Sequence, residues 1–126
     1  MLKLTQVDGV SLSNDSVVRS RMAVLASELE SAKMLQRRVI AAALKGGVPT
    51  VEAAMYKLYS TELGRRIADA ALDFLGPIGL LRKTAIDAPA RGKWEQSYRA
   101  TVVDTVGGGS SEVQKNIISR RWLGLP

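Results

Sequence analysis

Cysteine and histidine are both absent from this chain of 126 residues. Without cysteine, the chain cannot form a disulfide, a thiolate metal site or a thiol nucleophile. Without histidine, it lacks the commonest general base and the commonest metal ligand. We therefore predict no metal site, and any chemistry would have to use carboxylates, Lys, Tyr, Ser or a bound cofactor.

Long apolar runs are also missing. No stretch of about 18 uncharged apolar residues occurs, so the sequence predicts no membrane span. The segment from Met1 to Asp15 has one Lys and no apolar stretch long enough for a secretory signal. These absences lead us to expect a soluble protein of a reducing compartment, the cytoplasm.

Basic residues are numerous but are not clustered. The 18 Lys and Arg outnumber the 12 Asp and Glu, which gives a formal net charge of +6. No run approaches the roughly five to eight basic residues that are typical of nucleic-acid-binding arms. We interpret most of these cations as solvated helix faces and expect no nucleic-acid partner. The alternative is that some of them attract the phosphates of a nucleotide cofactor or a coenzyme.

The remaining composition, with 46% hydrophobic and 24% charged residues, is typical of one globular domain. Residues 1–13 show no firm period, and Asp8-Gly9 is a turn signal. This segment could be a short hairpin, a docked tail or a disordered leader. We interpret it as a leader and place the folded domain at residues 14–126.

Apolar residues recur at spacings of three and four in the first half of the domain, which predicts two helices. The first would be capped by Ser13 or Asn14 and would end before Gly46-Gly47. Its apolar stripe consists of Val18, Met22, Leu25, Leu29, Ala32, Val39 and Ala43. The second would have Thr50 as its N-cap and would end at Gly76-Pro77, which cannot continue a helix. Its core residues are Ala54, Leu58, Ile67, Ala71, Leu72 and Leu75.

Two shorter helices are predicted in the second half. After a possible helical turn at Leu80 to Thr84, the third helix runs from about Lys93 to Val106. Its apolar residues on one face are Trp94, Tyr98, Val102 and Thr105. The fourth begins at Ser110 or Ser111, and Ser111 with Gln114 has the form of a capping box. Because strand signals are weak, the fold class is all-α, an up-and-down helical bundle.

The glycine triplet before the fourth helix is suited to binding a ligand. Gly107 to Gly109 allow positive φ and a close approach of the backbone to a flat or charged ligand. The helix that follows presents free N–H groups and a dipole that favours an anion. Ser110 and Ser111 add hydroxyls that can cap the helix or bind a ligand. A flexible hinge with a capping box is the alternative interpretation.

The C-terminal residues resemble the C-terminal signature of acyl-CoA dehydrogenases. The resemblance is strongest over Gly108 to Ile118 and over Arg120 to the Leu-Gly-Leu-Pro ending. The segment Ala54 to Leu58 and the turn from Leu75 to Gly79 resemble the family's second helix and its Leu-Gly-Gly turn. The similarity extends from about Asn14 to Pro126. It implies the family's C-terminal helical bundle, here without that bundle's first helix.

The resemblance also implies a cofactor, FAD. Gly109, Ser110, Ser111 and Glu112 correspond to family residues at the flavin, and the turn containing Asp73 and Gly76 corresponds to one that approaches the dinucleotide of an adjacent subunit. Two positions differ from the family pattern. Asp73 stands where the family usually has Gln, which places a negative charge near a diphosphate. Pro77 replaces the second Gly of the turn and removes an N–H donor.

A catalytic base is missing from this pattern. Many family members have a Glu immediately before the Gly-Thr-Ser run, and Gly108 occupies that position here. Asp104 and Glu112 are the nearest carboxylates in the sequence, and both are expected at exposed helix ends. We therefore assign no catalytic residue to this chain.

The resemblance implies that the chain is the C-terminal domain of an FAD-dependent acyl-CoA dehydrogenase. This domain would contribute part of the flavin site and of the subunit interface and would be inactive alone. The complete enzyme would bind an acyl-CoA and form a homo-oligomer or a heteromer with another dehydrogenase subunit. The Leu75-Gly76-Pro77 turn resembles that of heteromeric members acting on sterol-derived acyl-CoAs. A bundle lacking one helix should expose an apolar stripe and self-associate. The alternative function is a non-catalytic module for oligomerisation or for docking on a full-length dehydrogenase.

Overall fold

The structure of the chain, a computed structural model, describes residues 6–7 and 10–126, with side chains from Ser11 onward. Its four α-helices are α1, Ser16–Leu44; α2, Thr50–Leu75; α3, Lys93–Val106; and α4, Ser111–Arg121. Two short 3₁₀ helices, Gly76–Leu80 and Pro89–Gly92, lie in the connection between α2 and α3. The predicted all-α helical bundle is confirmed.

Two very short strands precede α1. The strand β1, Gln6–Val7, pairs antiparallel with β2, Val10–Ser11. The predicted turn at Asp8-Gly9 and residues 1–5 lie outside the described residues. Leu12, which follows β2, is buried. The division into a leader at 1–13 and a domain at 14–126 stays a prediction.

The beginnings of the two long helices differ from the predicted ones. In α1 the cap is Asp15, whose Oδ1 accepts hydrogen bonds from the N–H groups of Val17, at 2.8 Å, and Val18, at 3.1 Å. The prediction of Ser13 or Asn14 as the cap was wrong, because only Asp15 immediately precedes the first helical residue. In α2 the N-cap is Pro49, not Thr50. Its carbonyl accepts the N–H of Ala53, so the helix begins one residue earlier than predicted.

The end of α2 follows the prediction. Gly76 adopts φ +62 and its N–H bonds to carbonyls of the last helical turn. A positive φ is accessible to glycine at little cost, which is why the helix ends there. The extra turn predicted at Leu80 to Thr84 lies earlier, at Gly76–Leu80, because Pro77 occupies an initial position of a new 3₁₀ helix.

α2 is the central helix and packs against α1, α3 and α4. The core between α1 and α2 consists of Leu25, Ala32, Leu63 and Ala70. Small side chains in this core allow the two helix backbones to approach closely. Removal of a buried leucine side chain such as that of Leu63 costs about 2–5 kcal/mol in comparable cores.

α1 buries a narrower stripe than its sequence pattern suggested. Val18, Leu25 and Ala32, each seven residues apart, are buried. Met22 and Leu29, which lie beside them on the predicted stripe, are 40% and 44% exposed. α2 covers only one edge of the stripe, so the other edge stays open.

α3 buries two polar residues more deeply than the apolar residues of its predicted face, of which Trp94 is half-buried. Glu95 and Thr101 are buried, whereas Tyr98 and Val102 of the predicted apolar face are exposed. Burial of Glu95 is possible because both oxygens of its carboxylate accept hydrogen bonds from Arg99, at 2.6 and 3.1 Å. A buried charge needs this kind of pairing.

Candidate functional site

The loop from Gly107 to Ser110, hereafter the glycine loop, connects α3 to α4. Gly108 and Gly109 adopt φ +71 and +100, in the left-handed region that favours glycine. A Cβ on Gly109 would lie 2.7 Å from Nε2 of Gln114, whereas one on Gly108 would meet nothing within 4 Å. The loop therefore needs glycine at 109 for its conformation, and a Cβ there would also displace the end of the Gln114 side chain.

Gln114 holds the loop from α4. Its side chain is buried, and its Nε2 donates to the carbonyl oxygens of Gly108, at 3.0 Å, and Gly109, at 3.3 Å. The predicted capping box of Ser111 with Gln114 was wrong. Ser110 is the N-cap residue and makes no side-chain bond to the helix N–H groups. Gln114 is instead directed at carbonyl groups that face the protein interior.

Lys57 holds the same loop from α2. Its Nζ donates to the carbonyl oxygen of Gly109 at 2.6 Å and to that of Thr105, in the last turn of α3, at 3.3 Å. The sequence interpretation placed Lys57 among the solvated cations and missed this role. One signal was available: helical spacing places Lys57 on the same face as Ala54, which is buried, and Leu58.

The remaining loop amides point away from these two side chains. In a trans peptide the C=O of one residue and the N–H of the next point in opposite directions. Because the carbonyls of Gly108 and Gly109 are bound on the inner side, the N–H groups of Gly109 and Ser110 face outward. In the part of the chain that the structure describes, the N–H groups of Gly109, Ser110 and Ser111 have no acceptor. Together with the α4 dipole, they favour an electron-rich or anionic group.

Glu112 lies in the first turn of α4. Its Oε2 is 2.7 Å from Oγ of Ser110. This hydrogen bond, followed by one from its own backbone and the charge of Lys115, holds the pKa of Glu112 below its usual value, although desolvation opposes the shift. Glu112 is therefore ionised at neutral pH and is a weaker base than an ordinary carboxylate.

Asp73 and Gly76, the other sequence-predicted site residues, lie together at the C-terminal end of α2. Nη1 of Arg21 is 2.6 Å from Oδ2 of Asp73, and Nη2 of the same side chain is 3.6 Å from Asp69. The guanidinium also lies over the ring of Phe74, 5.5 Å from its centroid. The charge of Asp73, which the sequence left uncompensated, is thus paired with a cation from α1.

The two groups of predicted residues are not brought to one place. From Lys57, at the glycine loop, to Asp73, 16 positions later in α2, the helix rises about 24 Å along its axis. A single chain therefore presents two separate surfaces, one at each end of α2. This separation is what the predicted contact of the Asp73 turn with a neighbouring subunit's cofactor would require.

An apolar groove of about 620 Å³ lies between α1, α2 and the start of α3. Met22 and Leu29 line it from α1, Ala71 and Phe74 from α2, and Trp94 from α3. The open edge of the α1 stripe is part of this groove. An exposed apolar surface of this kind is typical of a site that another segment or subunit covers.

Two further classes of site find no support in the described ranges 6–7 and 10–126. No helix there has both the length and the apolarity that crossing a membrane demands. No group of three or more acidic side chains there is placed to hold a metal ion.

Comparison with known proteins gives consistent matches. A family model described as the acyl-CoA dehydrogenase C-terminal domain matches residues 1–123. The chain is 36% identical over 80 residues to the acyl-CoA dehydrogenase FadE26 of Mycobacterium tuberculosis. The matched segment covers 64% of this chain and 20% of that protein.

Solved structures agree with the family model. The ChsE4-ChsE5 complex from Mycobacterium tuberculosis matches with a TM-score of 0.87 and 29% identity, over 99% of this chain and 32% of that one. The Tcur3481-Tcur3483 steroid ACAD gives a TM-score of 0.85 at 27% identity, over 91% of this chain and 30% of that one. The chain thus spans between a fifth and a third of the length of these relatives.

Proposed function

The chain belongs to the acyl-CoA dehydrogenase family, of which it forms the C-terminal helical domain, and from this premise we propose that it supplies part of the flavin site and of the subunit interface of an FAD-dependent enzyme. The observation that carries the proposal is the glycine loop, whose outward N–H groups precede the α4 N-terminus. The complete enzyme would remove the α proton and the β hydride of an acyl-CoA thioester. FAD supplies the hydride acceptor when it is bound.

The residues present fit a flavin. Gly109 carries no side chain and adopts a positive φ, so its backbone can closely approach a ligand on the loop's outer side. The free N–H groups of Gly109, Ser110 and Ser111 are donors suited to the oxygen and nitrogen atoms of a flavin ring. The turn at Asp73 and Gly76 lies about 24 Å from the loop along α2, and the family resemblance implies that it faces the dinucleotide of a neighbouring subunit.

The catalytic base would come from another part of the enzyme. Gly108 has no side chain to abstract a proton. The two carboxylates nearest the glycine loop in sequence are Asp104, which is exposed, and Glu112, whose pKa is lowered. Glu95 is buried and paired with Arg99. The hydrogen bond from Arg99 is the main cause of the lowered pKa of Glu95. A base needs a pKa near the working pH, so this domain alone would be inactive.

The substrate would be a bulky acyl-CoA, and the assembly a heteromer. Two observations support this: one structural relative is described as a steroid ACAD and another is a complex of two named components. The Leu75-Gly76-Pro77 turn agrees with this assignment. A homo-oligomer acting on fatty acyl-CoAs is the simpler form of the same proposal. We place the enzyme in the cytoplasm.

The test uses the full-length enzyme that contains this domain, expressed together with its partner subunit where one is needed. The wild-type protein should retain FAD after desalting and reduce an artificial electron acceptor with a sterol-derived acyl-CoA. Gly109→Ala should lower flavin retention. Gly46→Ala is the matched control, since Gly46 also has a positive φ, +80, with open space around it and no part in the loop.

The second candidate function is a non-catalytic module for oligomerisation or docking on a full-length dehydrogenase. The apolar groove with its exposed Met22 and Leu29 favours it. The same experiment separates the two functions. A wild-type assembly that retains no flavin and dehydrogenates no acyl-CoA would support the docking module and overturn the flavin-site proposal.

A further inference from the structure

We propose that Lys57 is a positioning residue for the glycine loop. Its ammonium group holds the Gly109 carbonyl on the protein side and thereby holds the Ser110 N–H toward the cofactor. The inference rests on the proposed function of the glycine loop. It concerns a residue on α2 that lies 52 positions before Gly109 in the sequence.

The contacts of Lys57 are unusual for a lysine on a helix. The side chain is half-buried, and its Nζ is 2.6 Å from the Gly109 oxygen and 3.3 Å from the Thr105 oxygen. Among the described residues, no carboxylate lies within ion-pair distance of it. Its ammonium group instead donates to two carbonyl dipoles, one at the C-terminal end of α3 and one in the glycine loop.

The orientation of one peptide group follows from this contact. The Gly109 carbonyl and the Ser110 N–H belong to the same trans peptide and point in opposite directions. Gln114 also reaches the Gly109 oxygen, but at 3.3 Å, and its shorter bond of 3.0 Å goes to Gly108. Gln114 thus mainly fixes the peptide group between Gly108 and Gly109, and Lys57 fixes the peptide group between Gly109 and Ser110.

Lys57 also places a positive charge directly behind the loop. Glycines at 108 and 109 leave the backbone many accessible conformations, so an anchor is needed to keep one of them. A charged donor holds a carbonyl more strongly than a neutral one does. The loop thereby combines glycine's close approach with a fixed direction of its N–H groups.

The test compares three variants of the full-length enzyme: Lys57→Met, Lys57→Arg and Lys33→Met. Lys57→Met removes the donor and the charge but keeps the apolar stem. Lys57→Arg keeps a charged donor. Lys33→Met removes the same charge from an exposed site on α1, where Lys33 pairs with its helix neighbour Glu30. The measurements are the FAD dissociation constant, the near-ultraviolet flavin absorption band and the thermal midpoint of each variant.

We expect Lys57→Met to weaken FAD binding about tenfold or more, the size of effect given by loss of a hydrogen bond to a charged group, and to shift the flavin band. Lys57→Arg should restore most of the affinity, and Lys33→Met should match the wild type. If Lys57→Met does not assemble, Lys57→Gln, which keeps a neutral donor, should bind FAD more weakly than Lys57→Arg and the wild type.

Two results would overturn the inference while leaving the proposed function in place. In one, Lys57→Met, or Lys57→Gln in its stead, lowers the thermal midpoint but keeps the wild-type affinity and flavin band, so Lys57 serves only the fold. In the other, Lys57→Arg binds FAD as weakly as Lys57→Met. A wild-type enzyme that binds no FAD would instead overturn the proposed function and the inference with it.

Discussion

Nη1 of Arg21 on α1 lies 2.6 Å from Oδ2 of Asp73 near the end of α2. The pair compensates the negative charge that Asp73 brings to a turn where the family usually has Gln. It is partly exposed to solvent, so its direct contribution to stability is small, about 0.2–1 kcal/mol. Its larger consequence is that Arg21, which Asp73 shares with Asp69, reduces the negative charge at this end of α2.

This compensation predicts an unusual ranking of variants in the full-length enzyme. Arg21→Gln should weaken FAD binding about threefold, because an unpaired carboxylate several ångströms from a diphosphate costs somewhat under 1 kcal/mol in a water-like dielectric. The double variant Arg21→Gln with Asp73→Gln should recover the wild-type affinity while its thermal midpoint stays lowered. Fluorescence titration with FAD measures this. Equal affinities for the single and the double variant would contradict the charge argument.

Gly92 and Gly108 form a matched pair for a stability prediction. Their φ values are +69 and +71, so alanine at either position incurs the same left-handed strain, about 1–2 kcal/mol. A Cβ at position 92 would also overlap the backbone of Arg82 and Lys83, whereas at 108 it meets open space. Gly92→Ala should therefore lose about 1–3 kcal/mol more than Gly108→Ala in urea unfolding. Similar losses would show that the chain at Arg82 and Lys83 can move aside.

The pKa of Glu95 predicts an acid dependence of stability. The hydrogen bond from Arg99 lowers this pKa from 4.5, with the charges of Arg99 and Arg82 adding to the shift and desolvation opposing it. A lowered folded-state pKa means that the stabilisation is complete above the unfolded-state value and is lost as pH falls through the folded-state value. Glu95→Gln should thus be less stable than the wild type at pH 7. The difference should shrink below about pH 4.5.

The measurement is the free energy of unfolding of both proteins in urea at several pH values. Glu30 and Glu112 also have lowered pKa values, through Lys33 and Ser110 respectively. They contribute equally to both proteins, so the comparison isolates Glu95. A difference that stays constant between pH 7 and acid would mean that Glu95 contributes through packing rather than through its charge.

The apolar groove predicts self-association of the isolated chain. Leu29→Gln should reduce the associated fraction seen by size-exclusion chromatography with light scattering, because it places a polar group in the surface that would be covered. Val24→Gln is the control: Val24 is also an exposed apolar residue of α1 but does not line the groove. A wild-type chain that stays monomeric at high concentration would contradict the prediction.

The helix bounds could be predicted because their signals are local. Lys93 to Val106 is α3 in sequence and structure alike, and Gly76-Pro77 ends α2 as expected. Caps were predicted less well. Asp15 and Pro49 take the places of the expected caps of α1 and α2, since several polar or turn-forming neighbours compete at each helix start and backbone geometry selects among them. At α4 the N-cap is Ser110, one of the two residues expected.

The sequence already contained the signals for the helices, their breaks and the glycine loop, because periodicity, glycine and proline act over a few residues along the chain. It also carried the family resemblance that the comparisons confirm. The packing of the helices determines that α3 buries Glu95 instead of Tyr98, that Lys57 holds Gly109 and that Arg21 pairs with Asp73. The last two pairs are each separated by 52 residues. Contacts at that separation depend on how the helices pack, and a local sequence pattern does not show which distant residue will make the contact.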